Sequence, residues 1–292
     1  MNAQTQSNYS IRSNRVLKAL VTLGASLSLM GCYVEVYSDY EDDYHYEPSP
    51  YTIADMRTSF LVEAAITPVA LAAEAPYQVI DPDKYTSPRS RMPSRGHVTD
   101  TTYAYLFDNV ECAEGGSTQV EAEAETTSYS DGYTYVDIQT SAQANHCQVW
   151  QNSELVTINS DLSYDTTGWY DDYENELSRI DGQLGGQFNL KWHSKQIELV
   201  NISSTITEIN ATDFKIDLKA SAKLDDGFSV QRPTLKTTQK VHWYLGAKHP
   251  HLGEMKFISG LHWVSLKFED QGVWRENSQG RSNFWTWTEL GY

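Results

Sequence analysis

Four histidines near the C-terminus are the residues of this chain whose type and spacing could bind a metal ion. His249 and His251 fall in a predicted turn, while His242 and His262 fall in the predicted strands on either side. If those strands pair as a hairpin, His242 and His262 face the same side of the sheet, and Glu254 could supply a third ligand. Such a site needs three ligands to converge from two elements. Histidines in hairpins more often pack against neighbouring side chains or face solvent. We therefore assign no metal ligand and no cofactor from the sequence.

Tryptophans in the same region suggest a second kind of site. The chain contains 8 Trp and 19 Tyr, and Trp285 and Trp287 share one face of a predicted strand with Arg281. On an exposed face, these rings and Trp263 could stack on sugar rings or on another flat apolar ligand. On a buried face they would fill the core, where large aromatic side chains are more often found. Trp263, Trp285, Trp287 and Arg281 are the candidate ligand-binding residues.

Sequence motifs of catalysis are absent from the chain. It has no Gly-x-Ser-x-Gly motif, no paired-cysteine metal motif and no phosphate-binding glycine loop. Acidic pairs such as Asp171-Asp172 could be the two carboxylates of a glycosidase. In a chain with 39 acidic residues, such pairs are more often solvated turn residues. We predict a protein that is not an enzyme and has no catalytic residues.

The N-terminal residues follow the order of an export signal. Three basic residues within 12–18 precede an apolar stretch, 19–30, which has about the length of a signal-peptide apolar region and is too short to span a bilayer. The stretch ends in Leu29-Met30-Gly31-Cys32, which resembles the lipobox of bacterial lipoproteins. The resemblance implies cleavage before Cys32 and acylation of that residue with fatty acids such as palmitate. An ordinary signal peptide with an incidental cysteine, or an uncleaved anchor, is the alternative.

The residue after the lipobox cysteine bears on the location of the protein. Tyr33 occupies the position where an Asp retains many such lipoproteins in the inner membrane. The resemblance therefore implies a lipid-anchored protein of the outer membrane that faces the periplasm or the cell surface. Its expected partners are the membrane, through the lipid, and an envelope protein or glycan.

The charge of the mature chain excludes one class of partner. Of 22 basic residues, Arg12, Arg15 and Lys18 leave with the signal, so that the remaining charge is 19 − 39 = −20. A surface this negative repels polyanions, and we predict no nucleic-acid binding.

The other two cysteines, Cys112 and Cys147, are predicted to form a disulfide in an oxidising envelope. The segment between them reads as a hairpin with a three-residue loop, 130–132, in which Gly132 adopts the left-handed conformation. In this register Val120 lies opposite Ala142. Cys147 lies opposite Gly115, which is three positions along the chain from Cys112. A bulge or bend at Gly115-Gly116 would bring the two cysteines together. Two unrelated buried thiols are the alternative.

Composition divides the chain into four segments: a signal peptide (1–31), an acidic Tyr-rich tether (32–52), a short helical segment with a Pro/Arg linker (53–97) and a β domain (98–292). The tether has too few apolar residues to fold alone. Residues 53–75 are rich in alanine and predict one or two short helices, broken or restarted at Pro68. Such a helix would pack on the domain or form a lid over an apolar cavity.

Residues 98–292 show almost only strand patterns. Apolar residues alternate with charged ones along 213–224, for example, and Asp-Gly or single Gly positions separate such stretches. The pattern predicts an all-β domain, either an antiparallel sandwich or a barrel-like sheet. Three functions are compatible with it: a non-enzymatic envelope lipoprotein that binds a protein or glycan or serves assembly, a lipid or apolar-ligand carrier with a half-barrel and helical lid, and, least favoured, a secreted-type hydrolase.

Overall fold

A computed structural model describes residues 51–79, 97–151, 154–171, 176–210 and 213–292. The lipobox and most of the acidic tether lie outside these ranges. No helix within them is long and apolar enough to cross a membrane. The helical elements are a 3₁₀ turn, Ile53–Asp55, and helix α1, Thr58–Val79.

Thirteen strands form one antiparallel sheet, which confirms the all-β prediction. They are β1 (Val98–Glu111), β2 (Ser117–Tyr129), β3 (Tyr133–Gln151), β4 (Glu154–Asp171), β5 (Glu176–Lys191), β6 (Gln196–Asn210), β7 (Asp213–Asp225), β8 (Val230–Gln231), β9 (Thr234–Tyr244), β10 (Leu252–Ser259), β11 (His262–Glu269), β12 (Gly272–Asn277) and β13 (Ser282–Thr286). Each strand pairs with the strands that precede and follow it in the chain. The exception is the short β8, which pairs only with β7, so that β7 also pairs with β9. Over the described ranges the sheet is therefore an unbroken meander, with β1 and β13 at its two edges.

Helix α1 lies at the centre of the hydrophobic core. Within 58–73, the half-buried side chains are Ser59, Glu63, Thr67 and Leu71, which are spaced four residues apart, and the others are buried. A helix that is apolar on nearly all sides must be enclosed rather than laid on a surface. Strands β5, β6, β7 and β9 contact α1, and β10 and β11 contact the 3₁₀ turn. The sheet therefore curves around the helical segment, which shares one hydrophobic cluster with the strands.

The helix runs through Pro68, so the predicted break at this residue is wrong. Proline removes one helical hydrogen bond and costs about 3 kcal/mol in a helix interior. Here Ala64, Ala65, Val69 and Ala70 are all fully buried around it. The apolar surface that the sheet buries on both sides of the proline outweighs the local cost.

Polar contacts fix the N-terminal end of the helical segment to the sheet. The Arg275 guanidinium donates hydrogen bonds to the Ala54 carbonyl (2.6 Å) and to the Thr58 hydroxyl (2.8 Å). On another side, the Tyr51 hydroxyl donates to a carboxylate oxygen of Asp226 (2.7 Å). These bonds join β12 and the end of β7 to the start of the helix, and so hold it in register inside the sheet.

The register of the β2–β3 hairpin agrees with the prediction from the sequence. Val120 lies opposite Ala142, and Ala124 lies opposite Ile138. Gly132 has a φ of 82° in the connecting turn. The match arises because a shift by one residue would turn the apolar faces away from the core, and the three-residue loop selects one of the registers that remain.

Cys112 and Cys147 form a disulfide with a Cα–Cα distance of 5.4 Å. Gly115 and Gly116, where a bulge or bend was predicted, lie in the turn between β1 and β2 and have positive φ angles, of 123° and 77°. The partner strand also deviates, because the pairing of β3 with β4 shifts between Ala144 and Cys147, and His146 has a φ of 51°. A Cβ atom at Gly116 would lie 2.0 Å from the His146 carbonyl oxygen, so this close approach requires glycine.

Candidate functional site

Strand β1 carries a row of exposed aromatic side chains. Tyr103, Tyr105 and Phe107 alternate along the strand and therefore project from one face. Their exposed fractions are 73%, 61% and 52%. Val120 and Ala122, on the opposite face of the neighbouring strand, are buried. The aromatic row thus lies on the outer face of the sheet, where aromatic side chains of this size are seldom left without a role.

A row of carboxylates on β2 borders these rings. Glu121, Glu123 and Glu125 occupy the β2 positions opposite the three aromatic residues. The Tyr103 hydroxyl donates to Glu125 (3.3 Å), and the Tyr105 hydroxyl donates to Glu121 (2.9 Å). The hydrogen bonds hold the phenol rings in place against the sheet. Together, β1 and β2 present apolar rings at the sheet edge and negative charge immediately behind them.

Within the part of the chain that the structure describes, the outer edge of β1 has unpaired backbone groups along most of its length. Among the described residues, β1 pairs with β2 alone, over a strand of 14 residues. Natural edge strands are usually protected by shortness, by proline, by lysine or by a bulge, because open edges accept further strands. The sequence of β1, VTDTTYAYLFDNVE, contains neither proline nor lysine. The irregularity in its pairing with β2 is confined to the Val98–Asp100 end, and the stretch from Thr101 to Phe107 is regular and carries no charged side chain. Its edge can therefore accept an additional strand.

Trp287 is a core residue and does not offer a ligand-binding face. It is 5% exposed and lies just after the end of β13. Its indole Nε1 donates to the Glu269 carbonyl (3.0 Å), and its ring stacks on His249 with centroids 4.2 Å apart. Of the two interpretations made from the sequence, burial in the core applies to this residue.

The other candidate residues of the C-terminal region do not form one exposed surface with Trp287. Trp285 is half-buried and packs against the hydrophobic core. Trp263 is half-buried on β11, with the ammonium nitrogen of Lys256 3.6 Å from its ring centroid. Arg281 is exposed in the turn between β12 and β13. The structure therefore separates the residues that the sequence had grouped as a stacking platform.

The histidine pairing considered from the sequence does not occur. A tight turn at Gly260-Leu261 separates β10 from β11, so that β10 lies between β9 and β11. His242 consequently lies opposite Leu252, while His262 lies opposite Ser259. Gly260, with a φ of 60°, makes this turn possible.

A different histidine joins His242 in a cluster on the outer face of β7 and β9. Asp213 begins β7 opposite Tyr244, and His242 lies on the same face of β9 opposite Lys215. His251 immediately precedes β10, and its backbone N–H donates to the His242 carbonyl (3.2 Å). The Tyr244 ring stacks on the His251 ring with centroids 3.9 Å apart. The β9–β10 loop thus folds back to place the second imidazole beside the first.

The three side chains of this cluster converge on one point. A carboxylate oxygen of Asp213 lies 3.7 Å from His242 Nδ1 and 4.0 Å from His251 Nε2. One donor atom from each of the three residues lies within 4.8 Å of the other two. Burial lowers the pKa of His242, and the nearby Asp213 carboxylate opposes this effect only in part. The cluster therefore offers a neutral imidazole next to a carboxylate, which is a suitable ligand set for a cation.

Neither the β1 row nor this cluster was found from the sequence. Alternating aromatic residues in "TYAYLF" were a visible signal, but a sequence pattern does not tell which strand forms the sheet edge. For the cluster, Asp213 and His251 are 38 positions apart, and only the order of β7, β9 and β10 brings them together. Comparison with protein-family models, curated proteins and solved structures gave no match, so the function of this chain is inferred from its own residues.

Proposed function

We propose that the protein is a lipid-anchored envelope lipoprotein whose β domain binds an extended segment of a partner protein along the edge of β1. The observation that carries the proposal is the edge of the 14-residue strand β1, which pairs on one side only among the described residues and exposes Tyr103, Tyr105 and Phe107. Strand addition to such an edge supplies main-chain hydrogen bonds, and pockets for alternate side chains supply specificity.

The side chains of β1 and β2 define the chemistry of this partner segment. The aromatic row favours apolar or aromatic side chains at alternate positions of the added strand, because these rings lose exposed apolar surface on contact. The three glutamates behind the row favour lysine or arginine. The whole chain has a formal net charge of −17, so a basic partner segment would also be attracted over a longer range.

The packed interior supports a binding protein more than a lipid carrier. A carrier with a half-barrel and helical lid needs an apolar cavity between sheet and helix, whereas Leu61, Val62 and Val69 of α1 are fully buried against their surroundings. A partly open pocket on β3–β6 includes Asn159, Gln187 and Asn189 in its lining, and no residue of α1 lines it. The carrier alternative therefore requires α1 to leave the core before an acyl chain could enter.

Crosslinking from β1 is expected to capture the partner. A photoreactive phenylalanine analogue at Tyr105 should crosslink in intact cells to a protein, through an extended peptide that mass spectrometry can identify. The matched control is the same analogue at Trp274, which is 43% exposed at the far end of the sheet. Equal crosslinking at both positions, or none at Tyr105, would contradict the proposal.

Removing the aromatic row is expected to weaken binding of that identified peptide by at least about tenfold, or about 1.4 kcal/mol. The variant is Tyr103→Ser/Tyr105→Ser/Phe107→Ser, and Trp274→Ser is its control. Because all these side chains are exposed, neither variant should unfold the domain. Peptide affinity by fluorescence anisotropy and circular dichroism of the free variants provide the two measurements.

The membrane anchor is tested separately. Cys32→Ser is expected to abolish incorporation of a radiolabelled fatty acid and to leave the precursor uncleaved, because the thiol is the proposed acylation site. Tyr33→Asp is the control, since it keeps the lipobox and should keep the label while shifting the protein to the inner membrane. Retention of label by Cys32→Ser would remove the basis for a lipid anchor.

A further inference from the structure

We propose that Asp213, His242 and His251 form a binding site for a divalent transition-metal ion with the ligand preferences of Zn²⁺. The site is independent of the proposed β1 edge, because it lies on β7, β9 and the β9–β10 loop.

Two imidazole nitrogens and one carboxylate oxygen are a typical three-ligand set for zinc. Sites of this kind hold the ion with three protein ligands and leave a further position for water. Imidazole ligands favour first-row transition metals over Ca²⁺ and Mg²⁺, which prefer sites made entirely of oxygen. The histidines therefore distinguish this cluster from the many carboxylates on the surface of the chain.

The observed distances are close to those of an assembled site. In tetrahedral coordination with bonds of about 2.1 Å, two ligand atoms lie about 3.4 Å apart. The Asp213 oxygen lies 3.7 Å from His242 Nδ1 and 4.0 Å from His251 Nε2. Small side-chain rotations would close the remaining gap, and the backbone bond between His251 and His242 already fixes the loop in place.

Two buried polar atoms of the cluster have no hydrogen-bond partner. Asp213 is 7% exposed, and among the described residues its Oδ1 atom has no hydrogen-bond partner, while its Oδ2 atom faces the two histidines. Nδ1 of His251 also has no partner, but it lies on the other side of the ring from Nε2, so an ion bound at Nε2 would not satisfy it. Among the described residues, the ion-pair contacts of Asp213 within 4.0 Å are with the two histidines. A buried carboxylate without a cationic partner is costly, and a bound divalent ion would supply the missing charge. Lys215, opposite His242 on the same face, limits affinity by repulsion but does not occupy the site.

Zinc titration of the full-length, detergent-solubilised protein tests the site. The protein is first stripped of metal with a chelator and then titrated with Zn²⁺ by calorimetry in excess Ca²⁺ and Mg²⁺, which occupy nonspecific carboxylates. We expect saturable binding of one Zn²⁺ per chain. His242→Ala and His251→Ala should each weaken binding by at least about tenfold, since even outer-shell changes at metal sites have effects of 10- to 100-fold.

His262→Ala and His193→Ala are the matched controls, because both histidines are exposed and lie outside the cluster. Both variants should bind Zn²⁺ like the wild type. Asp213→Asn, which preserves side-chain size, provides a variant in which loss of binding is separable from unfolding by circular dichroism. If an alanine variant fails to fold, the corresponding glutamine variant takes its place.

Cobalt gives a spectroscopic readout of the same ligands. Co²⁺ in the wild-type protein should produce visible absorption bands of a four- or five-coordinate ion, and these should disappear in Asp213→Asn. Absence of saturable Zn²⁺ binding would overturn the proposal, and would identify the cluster as an Asp–His ion pair without metal. Binding that persists in the triple variant Asp213→Asn/His242→Ala/His251→Ala would overturn it equally.

Discussion

Removal of the Cys112–Cys147 disulfide is expected to lower the free energy of unfolding by about 3 to 4 kcal/mol. The two cysteines are 35 positions apart and enclose the β2–β3 hairpin. Without the bond, the unfolded chain gains the conformational entropy of an open loop. Folding then has to remove this additional entropy, so the folded state is less stable relative to the unfolded state. The double variant Cys112→Ala/Cys147→Ala, compared with the wild type in urea unfolding, measures the difference.

The disulfide is also expected to support the proposed binding edge. Cys112 lies directly after β1, and the bond ties the β1–β2 turn to β3. Loss of the bond should therefore increase amide exchange in β1 more than in β11, which lies far away in the meander. As a control, thiol titration of denatured, unreduced wild-type protein should find neither Cys112 nor Cys147 free. Two reactive thiols in that assay would refute the bridge.

Glu63→Gln is expected to stabilise the protein by up to about 3 kcal/mol at pH 8 and to have little effect near pH 4. Burial in the helix raises the pKa of the Glu63 carboxyl from 4.5 to about 7, which Lys195 opposes and Glu154 reinforces. A shift of this size corresponds to about 3 kcal/mol. Because the folded state holds this proton more tightly, the contribution of Glu63 is fully present below pH 4.5 and is lost as the pH rises through about 7.

Urea unfolding of wild type and Glu63→Gln at several pH values between 4 and 8 measures this linkage. Glutamine resembles the protonated carboxyl in size and charge, so the variant should lose the part of the pH dependence between pH 4.5 and 7 that Glu63 causes. Glu111→Gln is the control, since Glu111 is an exposed residue at the end of β1. Parallel pH profiles for wild type and Glu63→Gln would show that this carboxyl is not buried in the native protein.

The protonation state of Glu63 also bears on the alternative function, a lipid carrier in which α1 would act as a lid. Ser59, Glu63, Thr67 and Leu71 form the half-buried stripe of α1, so ionisation of Glu63 acts on the side of the helix nearest to water. If α1 were a lid that leaves the core, Glu63→Gln should reduce its opening as well as raise stability. Amide exchange in α1 at pH 8 would measure that opening directly.

Features that depend on local pattern were predictable from the sequence. Alternation of apolar residues determined the strands of 98–292, and the hairpin register followed because a shift of one residue would turn Val120 and Ala124 towards solvent. The disulfide was predicted from two remaining cysteines in an oxidising envelope, and the two glycines permit the bend that the register required. The helical segment was visible in its alanine-rich composition, although its single continuous length was not.

Features that depend on contacts between distant residues were decided by the tertiary structure. Pro68 stays within one helix because the surrounding sheet buries both of its sides, which local propensity does not reveal. His251 replaces His262 beside His242 because a turn at Gly260 inserts β10 into the sheet. The aromatic residues of β1 are exposed because they project from the outer face of the sheet, and Trp287 is buried because its ring packs on His249. By itself, the sequence determined the all-β class, the hairpin register and the cysteine pair, since these rest on short-range periodicity. Strand order, edge position and burial arise from packing of the whole chain, and for that reason only the tertiary structure decided where a partner or a metal ion could bind.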